Sequence, residues 1–106
     1  MGGKLEGKAA IVTGGSGGFG LGIVEKFVKE GAKVVIFDIN AEGGKKAESA
    51  NPGTVFVQGD VSVRKDWEKA LQTALDKFGR LDIVVNNAGI LIVKVLWALA
   101  AKLMCS

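Results

Sequence analysis

The feature that most limits what this chain can become is an alternation of two residue patterns. Apolar runs of strand length occur at "KAAIVTG" (8–14), "KVVIFD" (33–38), "GTVFVQGDV" (53–61) and "RLDIVVNNAG" (80–89). Between them lie helical stretches at 19–32, 40–49 and 62–79. The runs are solidly apolar rather than alternating, as strands are when both faces are covered. Strand–helix–strand units cross over with one hand, so the chain should build a parallel sheet with helices on both sides. Leu21, Val24, Phe27 and Val28 recur at helical spacing in the first helical stretch, and Gly31 is a plausible stop. In the third, Ser62 is placed to cap a helix whose apolar stripe is Trp67, Leu71, Ala74, Leu75 and Phe78. The second, "NAEGGKKAES", is a polar helix weakened by two interior glycines.

Composition narrows the classes of function. With 106 residues the chain is one domain, 48% apolar and 24% charged, with a net charge of +3. No basic run exceeds Lys45-Lys46, so there is no nucleic-acid footprint. Histidine is absent and Cys105 is the lone cysteine, which argues against a metal centre and a disulfide framework. A reducing, cytoplasmic setting is expected, because the N-terminal "MGGKLEGK" has no signal-peptide core. The apolar segment 90–106 is 17 residues long and interrupted by Lys94 and Lys102, short of the ~20 residues that span a bilayer. No membrane partner is expected.

The stretch "TGGSGGFG", residues 13–20, places five glycines in eight positions between the first strand and the first helix. Inside regular structure each glycine costs about 0.5–1 kcal/mol relative to alanine. A flexible turn is the plain explanation. The junction suggests another: a helix N-terminus carries unpaired N–H groups and about half a positive charge. An anion such as a pyrophosphate can sit there if no Cβ blocks it. Gly15, Gly17 and Gly20 fit G-x-G-x-x-G, and Gly14, Gly18 and Gly20 fit T-G-x-x-x-G-x-G.

Asp38 ends the second strand, 18 residues beyond Gly20. A carboxylate there can accept both hydroxyls of an adenosine ribose, or be a solvated acid at a strand end. It would repel a 2′-phosphate, since unit charges ~4 Å apart repel by ~4 kcal/mol at an effective dielectric of ~20. NAD(H) is therefore expected over NADP(H).

Together with "GDV" at 59–61 and "NNAG" at 86–89, these motifs make residues 5 to about 90 resemble the classical subgroup of the short-chain dehydrogenase/reductase family. The flanks "LEGKAAIVTGG" and "FGRLDIVVNNAG" are similar as well. The resemblance implies an α/β, Rossmann-type doubly wound parallel sheet, here incomplete, with about four strands in the order 3-2-1-4. It implies that Gly14, Ser16, Gly18 and Gly20 form a phosphate loop, with Phe19 entering the helix beside it. Asp60 would bond the adenine amino group and Val61 would wall the ring. A local turn or capping role for Asp60, near Ser62, is the alternative. Asn87, Ala88 and Gly89 would approach the cofactor's ribose, and Asn86 would brace neighbouring strands.

The family moves a hydride between a nicotinamide and a carbinol or carbonyl carbon, using a tyrosine, a lysine four residues later and an upstream serine, all well beyond "NNAG". This sequence has no tyrosine and runs 17 residues past Gly89. No catalytic residue is assigned, and Lys94 and Lys102 are not recruited. The expectation is a dinucleotide-binding half-domain at 1–90, truncated before the catalytic residues, followed by an apolar tail at 91–106. A non-catalytic binding module and a non-functional product are the alternatives. An open fourth strand beside an apolar tail should favour self-association.

Overall fold

The computed structural model describes residues 4–86. The elements are β1 (Ala9–Thr13), α1 (Gly18–Lys29), β2 (Lys33–Asp38), α2 (Ala41–Ala50), β3 (Thr54–Gln58), α3 (Arg64–Phe78) and β4 (Ile83–Val85). The strands form one parallel sheet in the order β3-β2-β1-β4. The parallel sheet is what the alternation of apolar runs and helices predicts, and the strand order is the one the family resemblance implies. Ile11 pairs with Val35 on one side and Val84 on the other, so β1 is central and fully buried.

Strand side chains alternate between faces, and each face has its own core. On one, Ile11, Val35, Phe37 and Val57 pack with Trp67, Ala70, Leu71 and Ala74 of α3. On the other, Val12, Val34 and Ile36 pack with Val24 of α1 and Ala47 of α2. Trp67 is the largest fully buried side chain. Its ring meets Phe37 edge-on at 4.7 Å, and its Nε1–H donates to the Val61 carbonyl at 2.7 Å. Truncating a buried tryptophan of this kind costs about 3–5 kcal/mol.

Two features of α2 and α3 depart from sequence expectation. The glycines of α2 are not simply a weakness. A Cβ on Gly44 would collide with the Phe56 ring, so the missing side chain lets α2 settle onto β3. Ser62 does not cap α3. The N-cap position is Val63, and the Ser62 hydroxyl and N–H both turn back to Asp60 Oδ1, at 2.6 and 2.8 Å. The competing local hydrogen bond wins because serine and aspartate two apart close a tight turn on their own.

β4 is held at its start by Asp82. Its carboxylate accepts the Ala9 N–H at 2.9 Å and is gripped by the Arg80 guanidinium through two contacts of 2.7 Å. Among the described residues β4 is the sheet's outer strand beside β1. No helix among them is long and apolar enough to cross a membrane. The apolar segment at 91–106 and Asn87, Ala88 and Gly89, expected to approach a ribose, lie outside the described residues.

Candidate dinucleotide site

The predicted residues gather where the strands end. Beyond the carboxyl end of β1 the chain turns through Gly14 (φ +66°) and reaches α1 through Gly18 (φ +57°), a left-handed backbone that favours glycine. Gly20 is buried because α1 crosses the loop closely. A Cβ there would run into the Gly14 carbonyl, while one on Gly18 would meet nothing within 4 Å. The first glycine is thus required by packing and the second faces open space.

The start of α1 is bare. Its N-cap is Gly17, with no side-chain cap and no acidic residue in the first turn. Among the described residues no side chain caps the first-turn N–H groups, where the helix dipole is positive. Phe19 stands beside them, 86% exposed.

Asp38 closes one flank. Its Oδ2 accepts the Ser16 hydroxyl at 2.5 Å and the Ser16 N–H at 3.1 Å, and its Oδ1 accepts the Asn40 N–H at 3.0 Å. Partial burial pushes the carboxyl pKa up. The hydrogen bonds from Ser16, Asn40 and Ile39 outweigh that and hold it below the ordinary value. The residue is an anion at neutral pH, locked to the glycine loop rather than free at a strand end.

Next to it a cavity of about 190 Å³ is lined by Gly14, Phe37, Asp38, Ile39, Gly59, Asp60 and Val61. Asp60 is also held below its usual pKa, by the Ser62 hydroxyl and N–H. Gly14, Asp38, Asp60 and Val61 thus converge on one hollow, with Ser16, Gly18, Phe19 and Gly20 on the adjoining loop. Sequence reading missed Ile39 and Phe37 as walls. Their positions beside Asp38 at the end of β2 were the available signal. It also gave no role to Gly59, where a Cβ would sit 2.6 Å from the Phe37 ring and 2.8 Å from Asp66 Cβ. A larger cavity, about 470 Å³, lies at the amino ends of the strands near Lys8, Lys33 and Phe78, and none of the predicted residues lines it.

An open parallel sheet with an uncapped, glycine-edged helix start at its carboxyl end defines the dinucleotide-binding class of α/β folds. The sequence pattern described as short chain dehydrogenase matches residues 8–103, and the chain belongs to that family. It is 46% identical over 86 residues to L-fucose dehydrogenase of Mus musculus, covering 81% of this chain and 32% of that one. It is 50% identical over 94 residues to the NADP-dependent (R)-specific alcohol dehydrogenase of Lentilactobacillus kefiri, covering 86% of this chain and 37% of that one. Among solved structures, 3-ketoacyl-(acyl-carrier-protein) reductase from Brucella melitensis complexed with NADH matches with a TM-score of 0.78 and 44% identity. That match covers 82% of this chain and 36% of the reductase. The chain spans about a third of the length of these relatives.

Proposed function

We propose that this chain is the NAD(H)-holding portion of a short-chain dehydrogenase-type oxidoreductase. The observation that carries the reading is the bare N-terminus of α1 next to a hydrogen-bonded, ionised Asp38. In it the first-turn N–H groups receive the pyrophosphate, with Gly18 clearing its approach. Asp38 meets the ribose hydroxyls through Oδ1, which holds a single donor while Ser16 holds Oδ2, and Asp60 with Val61 holds the adenine. Asn87, Ala88 and Gly89 would complete the ribose side. When bound, the dinucleotide supplies the hydride donor or acceptor between a CH–OH and a C=O carbon. The residues assigned here bind and orient.

The relatives differ in cofactor. The Brucella reductase holds NADH and the Lentilactobacillus enzyme is NADP-dependent. Asp38 favours NAD(H) here, because no arginine neighbours it in sequence to offset its charge against a 2′-phosphate.

The family's proton-transferring tyrosine has no counterpart in a sequence without tyrosine. We therefore assign the chain by itself a binding role without turnover. In this reading it corresponds to the front third of such an oxidoreductase. The division into a binding part at 1–90 and an apolar segment at 91–106, and self-association through the outer edge of β4, belong to the same reading. The reducing, cytoplasmic setting is part of the same reading.

Calorimetric titration of the full chain tests the cofactor assignment. NADH should bind at least about tenfold tighter than NADPH, a difference of ~1.4 kcal/mol. Asp38→Ala should bring the two within about threefold. Equal affinities in the unaltered chain would sink the preference, and no binding of either would sink the function.

A further inference from the structure

The loop that carries Asp60 and Val61 is tied to α3 by two side chains with no place in the site described above. Asp66 is the third residue of α3. Its Oδ2 accepts the Asp60 N–H at 2.8 Å. Trp67, the next residue, donates its Nε1–H to the Val61 carbonyl at 2.7 Å. At the loop's entrance the Gly59 N–H donates to the Asp38 carbonyl at 3.0 Å, and at its exit the Val63 N–H donates to the Asp60 carbonyl at 2.9 Å. Gly59 has no Cβ, which lets α3 close to within contact of it: an added Cβ would lie 2.8 Å from Asp66 Cβ.

The arrangement differs from an ordinary helix start. A carboxylate at this position usually reaches back to the N-cap residue's own N–H. Here it reaches three residues further, to a loop lining the cavity between Asp38 and Val61. Ser62 occupies Asp60 Oδ1, and among the described residues nothing donates to Oδ2. With its backbone pinned from α3 and one oxygen taken by Ser62, the Asp60 carboxylate has one oxygen left for a ligand.

We propose that Asp66 is a positioning residue for purine selection. It holds the Asp60 backbone so that the remaining carboxylate oxygen meets a base carrying a 6-amino donor and rejects one carrying a 6-oxo group. This inference rests on the dinucleotide reading of the site. A site built to accept a ligand N–H discriminates strongly against an analogue that offers an acceptor instead, because two acceptors then face each other unpaired. That discrimination requires the acceptor to be held still, which is the role given to Asp66.

The test compares NADH with reduced nicotinamide hypoxanthine dinucleotide, in which the 6-amino donor becomes a 6-oxo acceptor and the neighbouring N1 gains a proton, a donor that a carboxylate held still against the 6-position does not follow. The unaltered chain should prefer NADH by about tenfold or more. Asp66→Ala, which keeps the Cβ beside Gly59, should bring that ratio below about threefold. Asp66→Asn retains an oxygen acceptor for the Asp60 N–H and should restore it. A purely structural role would weaken both ligands equally and leave the ratio unchanged. An Asp66→Ala chain that binds NADH with the full preference intact overturns the proposal while leaving the dinucleotide site standing. Failure of the unaltered chain to bind NADH overturns both, and binding without any purine preference overturns the role of Asp60 and the proposal with it.

Discussion

Helices α1 and α2 both follow strands of the same sheet and lie against the same core, yet their first turns are treated in opposite ways. At α2 the Asn40 side chain accepts the Gly43 N–H at 3.0 Å, and Glu42 adds a negative charge to the first turn. At α1 the N-cap is Gly17, without a side chain, and the first turn holds no acid. A glycine in place of a capping side chain costs only a few tenths of a kcal/mol, and the missing first-turn acid roughly 0.3–1 kcal/mol more, so α1 forgoes a little stability that α2 takes. The chain closes one helix end with its own atoms, and in the proposed reading the other is kept for an anion from outside. Gly20 lets the helix come close to the Gly14 carbonyl, and on that reading Gly18 would keep the approach clear.

Making α1 resemble α2 should have the largest effect. Gly17 has an extended backbone (φ −167°), and a Cβ there would meet nothing within 4 Å, so Gly17→Asp introduces no strain. The new carboxylate should cap α1 and raise stability by about 0.5–1 kcal/mol, read as a melting temperature a few degrees higher. It should also weaken NADH more than about a hundredfold, since it places like charge at the pyrophosphate. A variant that melts higher and still binds NADH normally would move the anion away from α1.

The converse change removes the cap of α2. Asn40→Ala should lower stability by about 1 kcal/mol in a denaturant titration. NADH affinity should stay within about twofold, because the Asn40 contact to Asp38 is made by the backbone N–H and survives the substitution. A large loss of affinity would show that the two helix ends are not independent.

The smallest effect concerns pH. Asp38 and Asp82 have folded pKa values below their ordinary ones: Ser16 and Asn40 donors outweigh burial at Asp38, and the Arg80 guanidinium holds Asp82. A carboxyl depressed on folding contributes stability that is full above its unfolded value, about 3.9, and is lost as pH falls through the folded one. Melting temperature should therefore be flat between about pH 5 and 7 and decline below about pH 4. In Ser16→Ala, which removes the hydroxyl donor to Asp38, the decline should be shallower. A steeper decline in that variant would contradict the sign.

Local spacing made much of the fold readable. The solid apolar runs, the helical spacing of Leu21, Val24, Phe27 and Val28, and the one-handed crossover between strands are enough to give a parallel sheet with helices on both faces, whereas the order 3-2-1-4 comes with the family resemblance. The glycine loop was readable for the same reason, because a turn needing positive φ writes itself into neighbouring residues. The left-handed backbone at Gly31 beyond α1 is a further case.

What sequence spacing could not reach depends on residues that meet only after folding. The glycine at 44 looks like a flaw until Phe56 of β3 packs against it. Ser62 reads as a cap until the turn to Asp60 claims it. The clamp from Asp82 to the Ala9 N–H joins residues 73 apart, and the bond from Ser16 to Asp38 joins the loop of one strand to the end of the next. The sequence by itself determined which residue types stand at each strand end. Only the tertiary structure decided which carboxylate oxygens are already taken and which remain open to a ligand, because a hydrogen bond is satisfied by whichever donor packing brings within about 3 Å, however far away it lies in the chain.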